Sequence, residues 1–209
     1  MESFSKLLNI IDRLLGPDGC PWDREQTLFT LQPYLLEETH ELIEAIDSGD
    51  FQKISEEIGD VLFELVFMAK LAQMQGKFSV DDAMEEICEK LIRRHPHVFS
   101  DVQVSSQEEI MRNWDAIKKL EKGQQGRKEI FDGIPPSLPA LPRAQKMAER
   151  LRRKGREMKV DLHFTNEEEV GAFLWEAVGA AEKEGFDAES ALRRHLSAVE
   201  QKAGEGLTA

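Results

Sequence analysis

Cysteine is nearly missing from this chain of 209 residues: Cys20 and Cys88 are the only two, far apart and without Cys-x-x-Cys spacing. Their scarcity excludes a disulfide framework and a thiolate zinc site, and it makes the reducing cytoplasm the expected location. No run of eighteen apolar residues occurs, and the start Met1-Glu2-Ser3-Phe4 lacks a basic segment followed by an apolar one. Neither a membrane span nor an export signal is therefore expected. Positive charge is also short, with 27 Lys and Arg against 40 Asp and Glu and a net charge of −13. A nucleic acid polymer is not the expected partner of such a chain, whereas a free nucleotide needs only a local basic site and a metal. Absent too are a Gly-rich phosphate loop, Rossmann and P-loop motifs, and any Ser or Cys nucleophile constellation.

Strict apolar alternation is almost absent and helical periodicity dominates, so the expected fold is all-α, a helical bundle. The pattern predicts a helix over about Ser3 to Leu15, closed by the loop Gly16-Pro17-Asp18-Gly19-Cys20-Pro21, where two prolines and two glycines stop it. A second helix is expected from about Thr27 to Asp47, kinked or restarted at Pro33, and a third from about Phe51 to Gln75. Ser79 caps a fourth, with Asp81 and Asp82 complementing its dipole, which fades at His95-Pro96. A fifth covers about Ser106 to Lys122.

Gly123-Gln124-Gln125-Gly126 and then Pro135, Pro136, Pro139 and Pro142 mark a change of composition. This reads as a catalytic domain over 1–122, a Gly/Pro-rich linker over 123–145 and a short helical region over 146–209. The last region repeats the first weakly: Glu56–Val66 resembles Glu168–Val178, and Phe78–Ala83 resembles Phe186–Ala191. Ala172 stands where the first copy has Asp60, and no Glu-Glu-x-x-Glu precedes it, so the second copy is expected to have lost its site.

The first copy carries two acidic steps, Glu37-Glu38-Thr39-His40-Glu41 and Glu56-Glu57-Ile58-Gly59-Asp60. Carboxylates three apart on a helix lie on one side of it. Projected at about 100° per residue, Leu35, Leu36, Thr39, Leu42, Ile43 and Ile46 form one stripe, with Glu38 and Glu41 on its flank. On the next helix Ile54, Ile58, Val61, Leu62, Leu65 and Ala69 form the stripe, with Glu57 and Asp60 on the corresponding flank. Packed antiparallel with the stripes buried, the two helices aim all four acids at one point. Four carboxylates repel one another unless hard, oxygen-seeking cations such as Mg²⁺ or Mn²⁺ lie among them. Glu37, Glu44 and Glu56 project outward and read as solvated surface acids. Glu37-x-x-His40 has a di-iron bundle spacing, but the motif occurs once, so His40 reads as a packing or surface residue.

A triphosphate also needs cations for its phosphate oxygens. Lys53 lies one turn before Glu57, and Lys90 and Arg94 lie one turn apart in Lys90-Leu91-Ile92-Arg93-Arg94. Trp22 and Trp114 are candidates for stacking on a nucleobase, with core packing as the competing role, and Gln26 for hydrogen bonds to a base edge.

These motifs together resemble the MazG family of nucleoside triphosphate pyrophosphohydrolases. The residues that carry the resemblance are Gly19-Cys20-Pro21-Trp22-Asp23-x-x-Gln26-Thr27, Pro33-Tyr34-Leu35-Leu36-Glu37-Glu38-x-x-Glu41, Glu57-x-Gly59-Asp60-x-Leu62-Phe63 and Lys90-x-x-Arg93-Arg94-His95-Pro96-His97-Val98-Phe99. It runs from about Phe4 to Lys122 and continues weakly to Leu141. It implies an all-α enzyme, usually dimeric, that hydrolyses a nucleoside triphosphate to monophosphate and pyrophosphate with Mg²⁺. By the resemblance the metal ligands and catalytic acids fall on Glu38, Glu41, Glu57 and Asp60, and the nucleotide contacts on Lys53, Lys90, Arg94 and Trp114, then Gln26 and Trp22. Alternatives are a base-selective dUTP or damaged-nucleotide hydrolase, and a non-catalytic regulatory protein of the same fold.

Overall fold

A computed structural model describes residues 2–121, 129–156, 158 and 160–204. The described residues form ten α-helices and no strand, as the periodicity predicts. Two units divide the chain, Met1–Lys118 and Lys119–Ala209. Gly123 to Gly126, read as the start of a linker, and the expected helix end at Lys122 lie outside the described residues.

The first unit is built on α1 (Glu2–Leu14), α2 (Pro21–Arg24), α3 (Gln32–Ser48), α4 (Phe51–Met74), α5 (Val80–Arg94), α6 (Pro96–Phe99) and α7, which begins at Gln107 and runs to Leu120. Its core gathers Ile11, Leu15, Leu31, Val66, Phe67, Leu71 and Val80, with Phe63 and Leu28 packed against it. Phe67 is almost wholly enclosed. A side chain of that size contributes about 2–3 kcal/mol by leaving water, which fixes α4 as the central helix against α1.

The turn between α3 and α4 is short because each of its two residues satisfies a helix end. Gly49 takes a left-handed φ of +69° at the close of α3, and Asp50 accepts hydrogen bonds from the Gln52 and Lys53 amides at 3.0 and 3.3 Å. This hairpin brings the two acidic steps side by side.

Two local expectations differ from the structure. The second helix does not begin at Thr27; of the two readings of Pro33 the structure takes the restart, for α3 starts at Gln32 with Pro33 in its first turn, where the missing amide hydrogen costs nothing. Residues Pro21–Arg24, at the end of the expected loop, form the single turn α2. The apolar stripes differ more. Leu36, Ile43 and Ile46 on α3, and Ile58, Leu62 and Leu65 on α4, are exposed. The hairpin and α1 bury instead the edge that carries Ala45, Val66, Phe67 and Leu71, so an apolar face wider than one chain can cover remains open.

Gly19 is fixed by close approach. The Cys20 amide donates to the Leu14 carbonyl at 2.9 Å, and a Cβ on Gly19 would lie 2.0 Å from that same oxygen. The loop after α1 can fold back on the helix end only without a side chain there.

The second unit comprises α8 (Ala140–Arg153), α9 (Glu167–Lys183) and α10 (Ala188–Gly204). Phe131, Ile134, Ala140, Met147, Leu151 and Leu196 form its core. Phe131, Ile134 and Ala140 fall within 123–145, so that stretch supplies packing residues, and α8 begins inside it. Arg143 is buried and paired with Glu200 at 2.6 Å.

Candidate active site

The acids meet across the α3–α4 hairpin. Glu38, Glu41 and Glu57 each offer a carboxylate oxygen, and the three oxygens lie within 4.8 Å of one another. Glu38 and Glu57 are half-buried, and Glu41 is exposed. Asp60 sits one turn beyond Glu57, exposed, and is not among the three at that distance, although its charge acts on both Glu38 and Glu57.

Electrostatics marks the cluster as under tension. Burial, and after it the charges of Glu41, Asp60, Glu57 and Glu37, hold the Glu38 carboxyl above its ordinary pKa. Glu57 is raised in the same way by desolvation, then by Glu41, Asp60 and Glu56, with Lys53 acting against the shift. Like charges this close penalise the ionised state. A divalent cation removes that penalty, and an all-carboxylate donor set suits a hard one.

Of the expected cations, Lys53 occupies the first turn of α4, exposed, where its charge favours ionised Glu57. Lys90 is half-buried on α5 and pairs with Glu86 at 3.2 Å. A pair on the surface is worth at most about 1 kcal/mol, so the ammonium exchanges partners readily. Arg94 and Trp114 are brought together: the guanidinium lies 5.2 Å from the indole centroid, and Lys118 lies 4.6 Å from it. Cations over an indole are held by its quadrupole, so the α5 end and α7 present a basic, aromatic corner. Lys118 was not among the expected contacts, though one turn after Trp114 it shares that residue's face.

Trp22 is exposed and meets Tyr34 edge to face, with centroids 5.7 Å apart. Gln26 is committed locally: its amide nitrogen donates to the Trp22 carbonyl at 3.0 Å, and its oxygen accepts from the Thr30 hydroxyl at 2.7 Å. Gln26 therefore shapes the loop that carries Trp22.

Glu64 escaped the reading of the sequence. It lies on α4 one turn past Asp60 and is buried, with Oε2 lacking any hydrogen-bond partner. The Glu57, Asp60, Glu64 spacing of three and four residues was visible, but Glu64 stands outside the two acidic steps.

In the second unit the repeated acid serves a different end. The carboxylate of Glu169, the counterpart of Glu57, accepts from the Thr165 amide at 2.8 Å and the Thr165 hydroxyl at 2.7 Å. These bonds close the start of α9 and hold the Glu169 carboxyl below its ordinary pKa. The later part of the repeat keeps its role by exchanging residues. Ser79 caps α5 by accepting from the Asp82 amide, whereas Asp187 accepts from the Ser190 amide at 2.6 Å.

Residues 26–99 match the family described as MazG nucleotide pyrophosphohydrolase domain. Over 97% of its length the chain is 38% identical to the nucleoside triphosphate pyrophosphohydrolase of Escherichia coli strain K12, and it covers 86% of that protein. Identity is also 38% to the nucleoside triphosphate pyrophosphohydrolase/pyrophosphatase MazG of Thermotoga maritima, over 91% of this chain and 80% of that one. The crystal structure of a mazG-related protein from Thermotoga maritima aligns with 55% of this chain and 98% of its own, at 33% identity and a TM-score of 0.49. The chain belongs to the MazG family of nucleoside triphosphate pyrophosphohydrolases. No helix among the described residues is long and apolar enough to cross a membrane.

Proposed function

We propose that this chain hydrolyses nucleoside triphosphates, ribo- or deoxyribo-, to the monophosphate and pyrophosphate in a reaction that depends on Mg²⁺, with Mn²⁺ as a substitute. The observation that carries the reading is the convergence of Glu38, Glu41 and Glu57 from two helices onto one point, with oxygens within 4.8 Å. Asp60 completes the set from the next turn of α4. Bound among these acids, the cation supplies charge neutralisation for the phosphate oxygens and acidifies a water. The acids hold and orient. Lys53, Lys90 and Arg94 receive the triphosphate and offset charge that develops as the phosphorus–oxygen bond breaks. Trp114 and Trp22 offer ring faces for the base, and Gln26 keeps Trp22 in place.

The catalytic domain in this reading is 1–122. Residues 146–209 form a degenerate second copy, with Glu169 committed to a helix cap and Ala172 in place of an acid. A homodimer is part of the proposal as well. The open faces of α3 and α4, with Leu36, Ile43, Ile46, Ile58, Leu62 and Leu65, are self-complementary apolar surfaces that a second copy covers. The physiological role that fits is nucleotide-pool housecleaning.

The test is turnover of each common NTP and dNTP by the purified chain. Comparable release of pyrophosphate across bases supports the broad activity. Turnover confined to dUTP or to a damaged nucleotide replaces it with a selective hydrolase, and no turnover on any substrate leaves a regulatory protein of the same fold.

A further inference from the structure

We propose that Glu64 is a fifth carboxylate of the cation site, engaged beside Glu38 when a divalent cation binds. The inference rests on the reading of Glu38, Glu41 and Glu57 as cation ligands and extends that site by one turn of α4. Three observations support it. Glu64 follows Glu57 by seven residues and Asp60 by four, so the three line one flank of α4. It is only 8% exposed, Oε2 is sealed from solvent, and no hydrogen bond is made to that oxygen. Across the hairpin the charge of Glu38 reaches it, since burial first and Glu38 second hold the Glu64 carboxyl above its ordinary pKa.

A buried carboxylate normally carries a cation, an arginine or several amide donors, because leaving it unpaired costs the full desolvation penalty. Arg143, another buried ionic residue, is paired with Glu200 through its Nη2. Lys70, the half-buried cation on the same helix, is taken by Asp12 at 2.8 Å. The charge that reaches Glu64 is that of Glu38, a member of the acid cluster, which makes its ionised form worse. A divalent cation at that cluster reverses the sign of the local field. Glu64 then becomes a favourable partner, directly or by accepting a hydrogen bond from water on the cation, and steadies Glu38 as outer partners of metal ligands do.

The test uses Mn²⁺ alone, without nucleotide, added to the full-length chain and to Glu64→Gln and Glu64→Met. Free Mn²⁺ is counted by electron paramagnetic resonance, and melting in chelator checks the fold. The expected result is an opposition. Both variants melt at or above the wild-type temperature without metal, because a neutral side chain is easier to bury, yet bind Mn²⁺ about 10-fold more weakly. The methionine variant covers the case in which a buried amide fails to fold. Wild-type Mn²⁺ affinity in a folded variant overturns the proposal. Glu38→Gln serves as the reference. If it loses Mn²⁺ while the Glu64 variants retain it, the cation site stands and the fifth ligand alone is refuted. If the wild-type chain takes up no Mn²⁺, both fall together.

Discussion

Glu38 on α3 and Glu57 on α4 present carboxylate oxygens within 4.8 Å of one another, and both carboxyls are held above their ordinary pKa. Two acids from different helices are held this close by the Gly49–Asp50 turn. The fold supplies the force that keeps like charges together, and a bound cation repays it.

Glu41 is the exposed member of the three, so replacing it disturbs little else. Glu41→Gln is expected to fold, with a melting temperature in chelator equal to or above wild type, because surface changes stay within about 0.5 kcal/mol. Its turnover is expected to fall by more than the roughly 10–100-fold that loss of an outer partner of a metal ligand costs. Steady-state pyrophosphate release beside a melting curve checks both.

The metal-free protein has two pH limbs. Glu38, Glu57 and Glu64 have folded values above the ordinary 4.5, so the native state binds more protons there than the unfolded chain. Their contribution to stability therefore declines as pH rises from about 4.5 through the raised values. Asp82, Glu109, Glu169 and Asp187 are held low by hydrogen bonds with Ser79, Ser105, Thr165 and Ser190. Their stabilisation is present above the ordinary carboxylate range and is lost as pH falls through the depressed values. Melting in chelator should show both slopes, and added Mn²⁺ should flatten the upper one; an upper limb indifferent to metal contradicts the electrostatic account.

Arg94 and Lys118 both lie against the Trp114 indole, so truncating the ring loosens both cations at once. Trp114→Ala is expected to raise KM by about 5- to 150-fold, in line with the roughly 1–3 kcal/mol of a base–aromatic stack, and to lower kcat less. Trp114→Phe, which keeps a ring face, should recover most of the loss. Equal KM values for the three proteins would remove Trp114 from the nucleotide site.

Gly19 faces the Leu14 carbonyl with no room for a methyl group, so Gly19→Ala must displace backbone. A cost of roughly 1–3 kcal/mol is expected from overpacking of this kind. Gly59, with nothing near its missing Cβ, is the control: Gly59→Ala should hold or raise stability. Chemical denaturation of the pair measures the difference.

The open face of the hairpin predicts association. Leu62→Glu combined with Ile43→Glu places charges on both helices of the proposed dimer surface, and light scattering should report a monomer where wild type is a dimer. A wild-type monomer at micromolar concentration would remove the homodimer from the account.

Much of this arrangement was legible in the residues. The cap at Ser79 and the acid spacing of α3 and α4 are local signals, and helix capping is local physics. Pro33 left two readings open, because a proline fits a helix's first turn as well as a kink, and the structure takes the first. The stripe of Leu36, Ile43 and Ile46 reads as core by periodicity, which cannot tell a face buried within the chain from one left for a partner. Glu64 was missed because burial of a lone acid is set by neighbours distant in sequence. The commitment of Gln26 to Trp22 and Thr30 depends likewise on how its loop closes, which composition does not determine.

The most direct measurement is product analysis with one nucleoside triphosphate, wild-type chain against Glu41→Gln, with Mg²⁺ and with chelator. The account predicts monophosphate and pyrophosphate in equal amounts from wild type with Mg²⁺, and almost none with chelator or from the variant. Diphosphate and phosphate as products, or turnover that survives chelation, would contradict it.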